Sequence, residues 1–215
     1  MTTQPASNDD ATTRDAPPIG GPSGEPEASI VEDRDQERAR IASLLESHAP
    51  PDWQERFRTD ELLDAIIDTK PMQMFVMAAD IRESTLLMKE AVRFEQFAKI
   101  MDKFVSAVRS GIGTPGGWFD KFTGDGFLAY WIVPSSPKEE YQQRFVEAAG
   151  NLAHTAHELG ELFHRRVLED FRRNSRNLSD GVGLSIGLDA GPGFLVEIAG
   201  ELTVVGPPVV ERCGW

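Results

Sequence analysis

The stretch that decides the fold covers residues 74–85 and reads Met-Phe-Val-Met-Ala-Ala-Asp-Ile-Arg-Glu-Ser-Thr. Residues 72–79 carry apolar side chains on both faces, which predicts a central β-strand covered on both sides. Asp80 follows this strand, and a carboxylate at the end of a buried strand is costly unless a cation meets it. The next residues, 83–85, read as a helix start with free backbone N–H groups, where a phosphate can bind.

A second aspartate, Asp125, lies in the turn of a predicted hairpin with strands over 118–123 and 127–133. Asp-Gly is the commonest hairpin signal, so Asp125 taken alone is better explained as a turn residue. Two carboxylates brought together by one sheet form a hard-oxygen site for Mg²⁺ or Mn²⁺. Because such ions usually also hold substrate phosphates, we predict a phosphate-chemistry enzyme with Asp80 and Asp125 as its metal ligands.

Composition restricts the partners and the compartment. The 215 residues carry a formal charge of −13, from 35 acidic and 22 basic side chains. This balance argues against a broad nucleic-acid or anionic-membrane surface, which needs a basic patch. The single cysteine, Cys213, rules out an internal disulfide framework and fits a reducing compartment. With no apolar run long enough to span a bilayer and no signal-peptide pattern, we expect a cytoplasmic protein.

The chain divides into three parts by composition. Residues 1–35 are rich in Pro, Gly, Thr, Asp and Glu and are predicted to be a disordered acidic tail. Residues 36–71 are predicted to be a helical region, with helices over 36–45 and 60–67, that either packs on the core or helps the chain to dimerise. The main domain is predicted over 72–215.

Within the main domain the periodicities alternate between strand and helix. A helical stretch is predicted up to about residue 109, followed by the hairpin and a long helix over 138–173. A strand over 181–191 and a second hairpin over 194–205 complete the domain. The order β-α-α-β-β-α-β-β predicts an α+β domain that resembles a ferredoxin-like core.

Three stretches, 75–85, 121–126 and 202–209, resemble the class III nucleotidyl cyclase domain in order and spacing. The resemblance implies a mixed or antiparallel sheet with flanking helices, functional as a homodimer because the active site forms between two subunits. It also implies that the product is a 3′,5′-cyclic nucleotide, released with pyrophosphate from a nucleoside triphosphate.

The resemblance assigns roles to individual residues. Asp80 and Asp125 would hold two Mg²⁺ or Mn²⁺ ions, assisted by the carbonyl of Ile81. The backbone N–H groups of the three residues that follow Arg82 would bind phosphate oxygens: Glu83, Ser84 and Thr85.

Base recognition is implied for Lys121 and Thr203. Family members that use ATP have a lysine and an aspartate at these positions, and here threonine replaces the aspartate. The family's asparagine and arginine fall at Val210 and Gly214, with Arg212 two positions out of register. The sequence also stops before the family domain does, so we expect its C-terminal part to be missing.

These departures, with the sequences at 82–85 and 116–126, look most like the pyrimidine cyclases of bacterial Pycsar antiphage systems. That resemblance implies that UTP or CTP is converted to cyclic UMP or cyclic CMP. The cyclic nucleotide, rather than direct contact, would activate a downstream effector. Two alternatives stay open: an adenylate cyclase, and a catalytically silent cyclase-like domain that binds a nucleotide or a partner. Trp118, Phe119 and Phe122 are either pocket residues that suit a smaller base or core residues.

Overall fold

The structure, a computed structural model, describes residues 26–50, 53–57, 59–134 and 137–210. Most of the predicted disordered tail and the positions of Arg212, Cys213 and Gly214 lie outside the described residues. In the part of the chain that is described, no helix is long and apolar enough to cross a membrane.

One five-stranded sheet organises the domain. Its strands are β1 (Met72–Arg82), β2 (Trp118–Phe122), β3 (Gly126–Ile132), β4 (Gly183–Ile198) and β5 (Glu201–Val205). They lie in the order β2-β3-β1-β4-β5, and every neighbouring pair is antiparallel. The first four strands have the ferredoxin-like arrangement and β5 extends it, which confirms the predicted α+β class.

Helices flank both faces of this sheet. They are α1 (Pro26–His48), α2 (Trp53–Arg56), α3 (Thr59–Ile67), α4 (Ser84–Glu90), α5 (Phe94–Gly113), α6 (Lys138–Leu162), α7 (Leu168–Asn174) and α8 (Pro207–Val210). The helical stretch predicted up to residue 109 consists of two helices, which agrees with the two consecutive helices of the predicted order; between them Val92 donates its N–H to the Asn174 carbonyl at 2.8 Å. The long helix predicted over 138–173 is interrupted by a π-helical turn at Phe163–Val167.

The central strand β1 has a core on each face, as its sequence predicts. Phe75, Met77 and Ile81 are buried against the side covered by α5, α6 and α7. Met74 and Val76 point to the other side, where Ile41, Leu45 and side chains of α3 cover them. The alternation follows directly from the two-residue period of a strand.

Helix α1 differs from its prediction: it begins at Pro26 rather than Gln36, so residues 26–35, predicted to be disordered, lie in a helix. Proline suits the first helical position because its missing N–H has no partner there. The first half of α1 has no apolar stripe, so the periodicity of the sequence does not predict a helix there. Arg38 lies 2.7 Å from Asp60 on α3, and Ile41 and Leu45 are fully buried, so this region packs on the core.

Strand β4 is continuous where the sequence predicts a strand and a separate hairpin. Its residues 183–193 pair with β1, and Phe194–Ile198 pair with β5. Strands β5 and β2 contact each other although they lie at opposite edges of the sheet, so the sheet is strongly curved.

Candidate active site

Asp80 lies within β1 rather than after it. The strand continues through Ile81 to Arg82, and Asp80 pairs with Gly126 on one side and Ser185 on the other. The prediction that the strand ends at Ala79 is therefore wrong. Asp80 and Ile81 point to opposite faces, so the half-buried carboxylate belongs to the face opposite the α5–α7 core.

The structure brings Asp80 and Asp125 together. Their carboxyl groups lie within hydrogen-bonding reach, and burial and the charge of Asp125 raise the pKa of Asp80, while a backbone hydrogen bond from Ile81 opposes this. Gly126 makes the approach possible. A Cβ on this glycine would lie 2.6 Å from the Ala79 carbonyl oxygen and 3.2 Å from Asp80 Oδ1.

The start of α4 lies beside this pair. The Ser84 hydroxyl donates a hydrogen bond to Asp125 Oδ2. Glu83, which precedes the helix, adopts a left-handed conformation with φ of 57°, and its side chain makes no capping hydrogen bond to the described helix. The first-turn N–H groups of α4 therefore have no side-chain cap, and Thr85 is exposed next to them.

The residues present fit a hard divalent cation. Two carboxylates repel each other unless a cation lies between them, and their oxygens are the donors that Mg²⁺ and Mn²⁺ prefer. The described residues contain no group of three or more His, Cys, Asp or Glu side chains that could hold a metal. A two-carboxylate site suits Mg²⁺, which keeps several waters and shares its coordination with substrate phosphates.

A cleft of about 580 Å³ is lined by Ser84, Thr85, Phe122 and Asp125, among others, but not by Asp80. Phe122 is thus at the cleft wall, whereas Trp118 is only 1% exposed and stacks on Tyr130 in the core. Of the aromatic residues proposed for a pocket, Trp118 is a core residue. A cleft of about 620 Å³ elsewhere, around Arg56, contains none of the predicted site residues.

Lys121 and Thr203 also meet, across the contact between β2 and β5. Lys121 Nζ donates to Thr203 Oγ1 at 3.1 Å. The Thr203 hydroxyl in turn donates to Asp120 Oδ2, also at 3.1 Å. Lys121 Nζ lies 3.7 Å from the same Asp120 oxygen, so the three side chains form a closed network.

Asp120 is the residue that the sequence analysis missed. Between Phe119 and Lys121 the register of β2 against β3 shifts, so Asp120 is the extra residue of a β-bulge and turns inward. Its side chain is 2% exposed, and burial raises its pKa although Lys121 and Thr203 oppose the rise. The one sequence signal was a charged residue within an aromatic strand.

The last predicted position that is described is Val210, the final residue of α8. It stands where the cyclase resemblance expects an asparagine. The position of the expected arginine, Gly214, lies outside the described residues.

Comparisons with known proteins bear on the fold. No protein-family model and no curated protein sequence matches the chain. The adenylyl cyclase CyaB from P. aeruginosa is 16% identical over 66% of this chain and 70% of its own, with a TM-score of 0.54. The described domain has the fold of a nucleotidyl cyclase catalytic domain. The guanylyl cyclase Cya2 is 20% identical over 66% of this chain and 68% of its own, with a TM-score of 0.47.

Proposed function

We propose that this chain is a metal-dependent nucleotidyl cyclase that converts a nucleoside triphosphate to its 3′,5′-cyclic monophosphate and pyrophosphate. The observation that carries the proposal is the carboxylate pair formed by Asp80 on β1 and Asp125 in the turn before β3, packed against Gly126, within the fold of a cyclase domain. The sequence around both aspartates supports the same reading, since it resembles the class III cyclase motifs.

The reaction joins the ribose 3′-oxygen to the α-phosphorus and breaks the bond from the α-phosphorus to the bridging oxygen of pyrophosphate. The 3′-hydroxyl proton leaves to solvent. Asp80, Asp125 and the Ile81 carbonyl would hold Mg²⁺ or Mn²⁺, which when bound would neutralise phosphate charge and make the 3′-hydroxyl more acidic. Two ions per site are proposed, as in the cyclases that the sequence resembles.

The chain's own groups bind and orient the triphosphate. The uncapped N–H groups of Glu83, Ser84 and Thr85 are proposed phosphate donors, and the Ser84 hydroxyl, which contacts Asp125, fixes that carboxylate. Helix α4 has only seven residues, so these N–H groups act as individual donors rather than through a large helix dipole.

Base recognition is proposed for Lys121 and Thr203, and the working unit is a homodimer in which the metal pair of one copy meets the base-reading pair of the second. Threonine in place of the aspartate of ATP-using cyclases supports a pyrimidine substrate, UTP or CTP. Cyclic UMP or cyclic CMP would then be an antiphage second messenger read by a separate effector in the cytoplasm.

The test is incubation of the purified chain with ATP, GTP, CTP and UTP separately, in Mn²⁺, with cyclic products identified by mass spectrometry. Asp80→Ala and Asp125→Ala are expected to abolish turnover while the circular dichroism spectrum stays unchanged. Asp180→Ala, at an exposed aspartate, is the matched control and is expected to retain turnover. Wild-type rates in either active-site variant would overturn the metal assignment.

An adenylate cyclase is the second candidate, favoured by Lys121, which stands where ATP-using cyclases have a lysine. Cyclic AMP as the sole product would establish it. The absence of any product would favour a silent cyclase-like domain, for which Val210 at the expected asparagine position is the supporting feature.

A further inference from the structure

We propose that Asp120 is a positioning residue for base recognition. By accepting a hydrogen bond from the Thr203 hydroxyl, it makes Thr203 a fixed acceptor beside the fixed donor Lys121. The proposal rests on the proposed function, because it assumes that the chain takes nucleotides. It adds a third residue to the base site and states what that residue does there.

The donors and acceptors of Lys121, Thr203 and Asp120 fix the direction of the hydrogen bonds between them. An ammonium group only donates, so in the 3.1 Å contact with Lys121 the Thr203 oxygen must accept. A hydroxyl has one hydrogen, and the 3.1 Å contact with Asp120 uses it. One lone pair on Thr203 and further hydrogens on Lys121 are then left for a ligand.

Asp120 is suited to hold this arrangement, because it is the most enclosed of the three groups. Its side chain is 2% exposed, whereas that of Lys121 is 50% exposed and reaches solvent. The β-bulge fixes the direction of the Asp120 side chain from the backbone. Asp120 itself is therefore too buried to read the base and acts through Thr203.

A fixed donor next to a fixed acceptor selects one class of base edge. Uracil and guanine present a carbonyl oxygen beside a ring N–H, whereas cytosine and adenine present an amino group beside a bare ring nitrogen. Because Thr203 cannot donate, a base of one class places its donor against Lys121 and its acceptor against Thr203, and neither hydrogen bond forms. The site thus separates keto bases from amino bases, and a Thr203 hydroxyl free to rotate would lose that separation.

The experiment compares kcat/KM for UTP with CTP, and for GTP with ATP, in the wild type, Asp120→Leu, Thr203→Val and the double variant. Asp120→Leu removes the acceptor of the Thr203 hydroxyl and is expected to reduce the preference between keto and amino bases, whichever class the wild type favours, by at least about tenfold, the effect of one hydrogen bond to a charged group. In the Thr203→Val background the same change is expected to add nothing further, since Asp120 acts through the hydroxyl. Thr203→Ser keeps the hydroxyl and should keep the preference.

Glu201→Gln is the charge control, because Glu201 is exposed and its charge acts on Asp120 without being hydrogen-bonded to Thr203 in the network. It is expected to leave the preference unchanged. An equal loss for all four nucleotides in Asp120→Leu, or a full additional effect in the Thr203→Val background, would overturn the proposal. If Asp120→Leu does not fold, Asp120→Glu displaces the carboxylate by one methylene and is expected to lower the preference in the same way.

Binding of the four nucleoside triphosphates, measured by titration calorimetry with the same variants, separates this proposal from the proposed function. A chain that binds nucleotides but forms no cyclic product refutes the cyclase reaction, and the ratio of Kd values then decides the role of Asp120. A chain that binds none of the four refutes both.

Discussion

Replacing Asp80 with asparagine is expected to stabilise the metal-free protein at neutral pH, although it removes a proposed metal ligand. Asp80 is half-buried beside Asp125, and burial and the neighbouring charge raise its pKa. Two unit charges about 4 Å apart repel by about 1 kcal/mol in a water-like dielectric and by about 4 kcal/mol at a dielectric constant of 20. Both carboxylates are partly exposed, so we take the lower value, which corresponds to a Tm increase of about 2–4 °C.

The pH dependence of this effect has a definite sign. A carboxyl group whose pKa is raised by folding favours the folded state while it is protonated, and this contribution is lost as the pH rises through the folded pKa. The Tm difference between Asp80→Asn and the wild type should therefore be small at about pH 4, near the unperturbed pKa of aspartate, and largest at neutral pH.

The assay is thermal unfolding by circular dichroism in EDTA at both pH values, then with Mn²⁺ in place of EDTA. Mn²⁺ should raise the Tm of the wild type by mass action and leave that of Asp80→Asn nearly unchanged. Asp180→Asn, at an exposed aspartate, is the control for a simple change in net charge. If Asp80→Asn is less stable than the wild type in EDTA at neutral pH, other groups of the protein stabilise the Asp80 carboxylate, and repulsion from Asp125 does not limit stability.

Three further predictions test the site and the fold. Gly126→Ala should destabilise the protein by about 1–3 kcal/mol in denaturant unfolding, because its Cβ would lie 2.6 Å from the Ala79 carbonyl oxygen; Gly150→Ala, with open space in α6, should instead be neutral or stabilising. Leu45→Ala should cost about 2–4 kcal/mol, since Leu45 is fully buried under the sheet, whereas a cost near that of the exposed Glu46→Ala would mean that α1 is not part of the fold. Lys121→Ala should change the relative rates for the four nucleotides more than the affinity for Mn²⁺, and unchanged relative rates would contradict its role in base recognition.

The elements that the sequence predicted well are those with a strong local pattern. Strand β1 has apolar residues on both faces, and the hairpin of β2 and β3 has a Gly-Asp-Gly turn between two apolar runs. Both patterns follow from short-range geometry and need no knowledge of the partner strands. The proximity of Asp80 and Asp125 follows from them, because β1 and β3 are neighbours in the sheet.

The features that were missed depend on tertiary contacts. Helix α1 begins at Pro26 in a polar stretch, and only its packing and its ion pairs with α3 mark it as part of the domain. Asp120 is a charged residue in an otherwise largely aromatic strand, and the bulge at which it lies exists only in the pairing of β2 with β3. Such register shifts have no signal in a single strand.

The curl of the sheet connects the fold to the proposed base site. Strands β2 and β5 are at opposite edges of the sheet, four strand spacings apart, which is about 19 Å in a flat sheet. Lys121 and Thr203 nevertheless meet at 3.1 Å. The sheet is therefore strongly curved, and β4 belongs to both of its parts, since it pairs with β1 up to Gly193 and with β5 from Phe194 onward.

Two glycines lie where β4 changes partner, and both are closely packed. A Cβ on Gly193 would lie 2.7 Å from Met74 Sδ, and one on Gly191 would lie 3.0 Å from Pro208. A side chain at Gly193 would therefore require Met74 of β1 to move, and one at Gly191 would press on Pro208 of α8. The contact of Lys121 with Thr203 joins strands that are not neighbours in the sheet, which is why a motif search along the chain finds the aspartate pair but not this network.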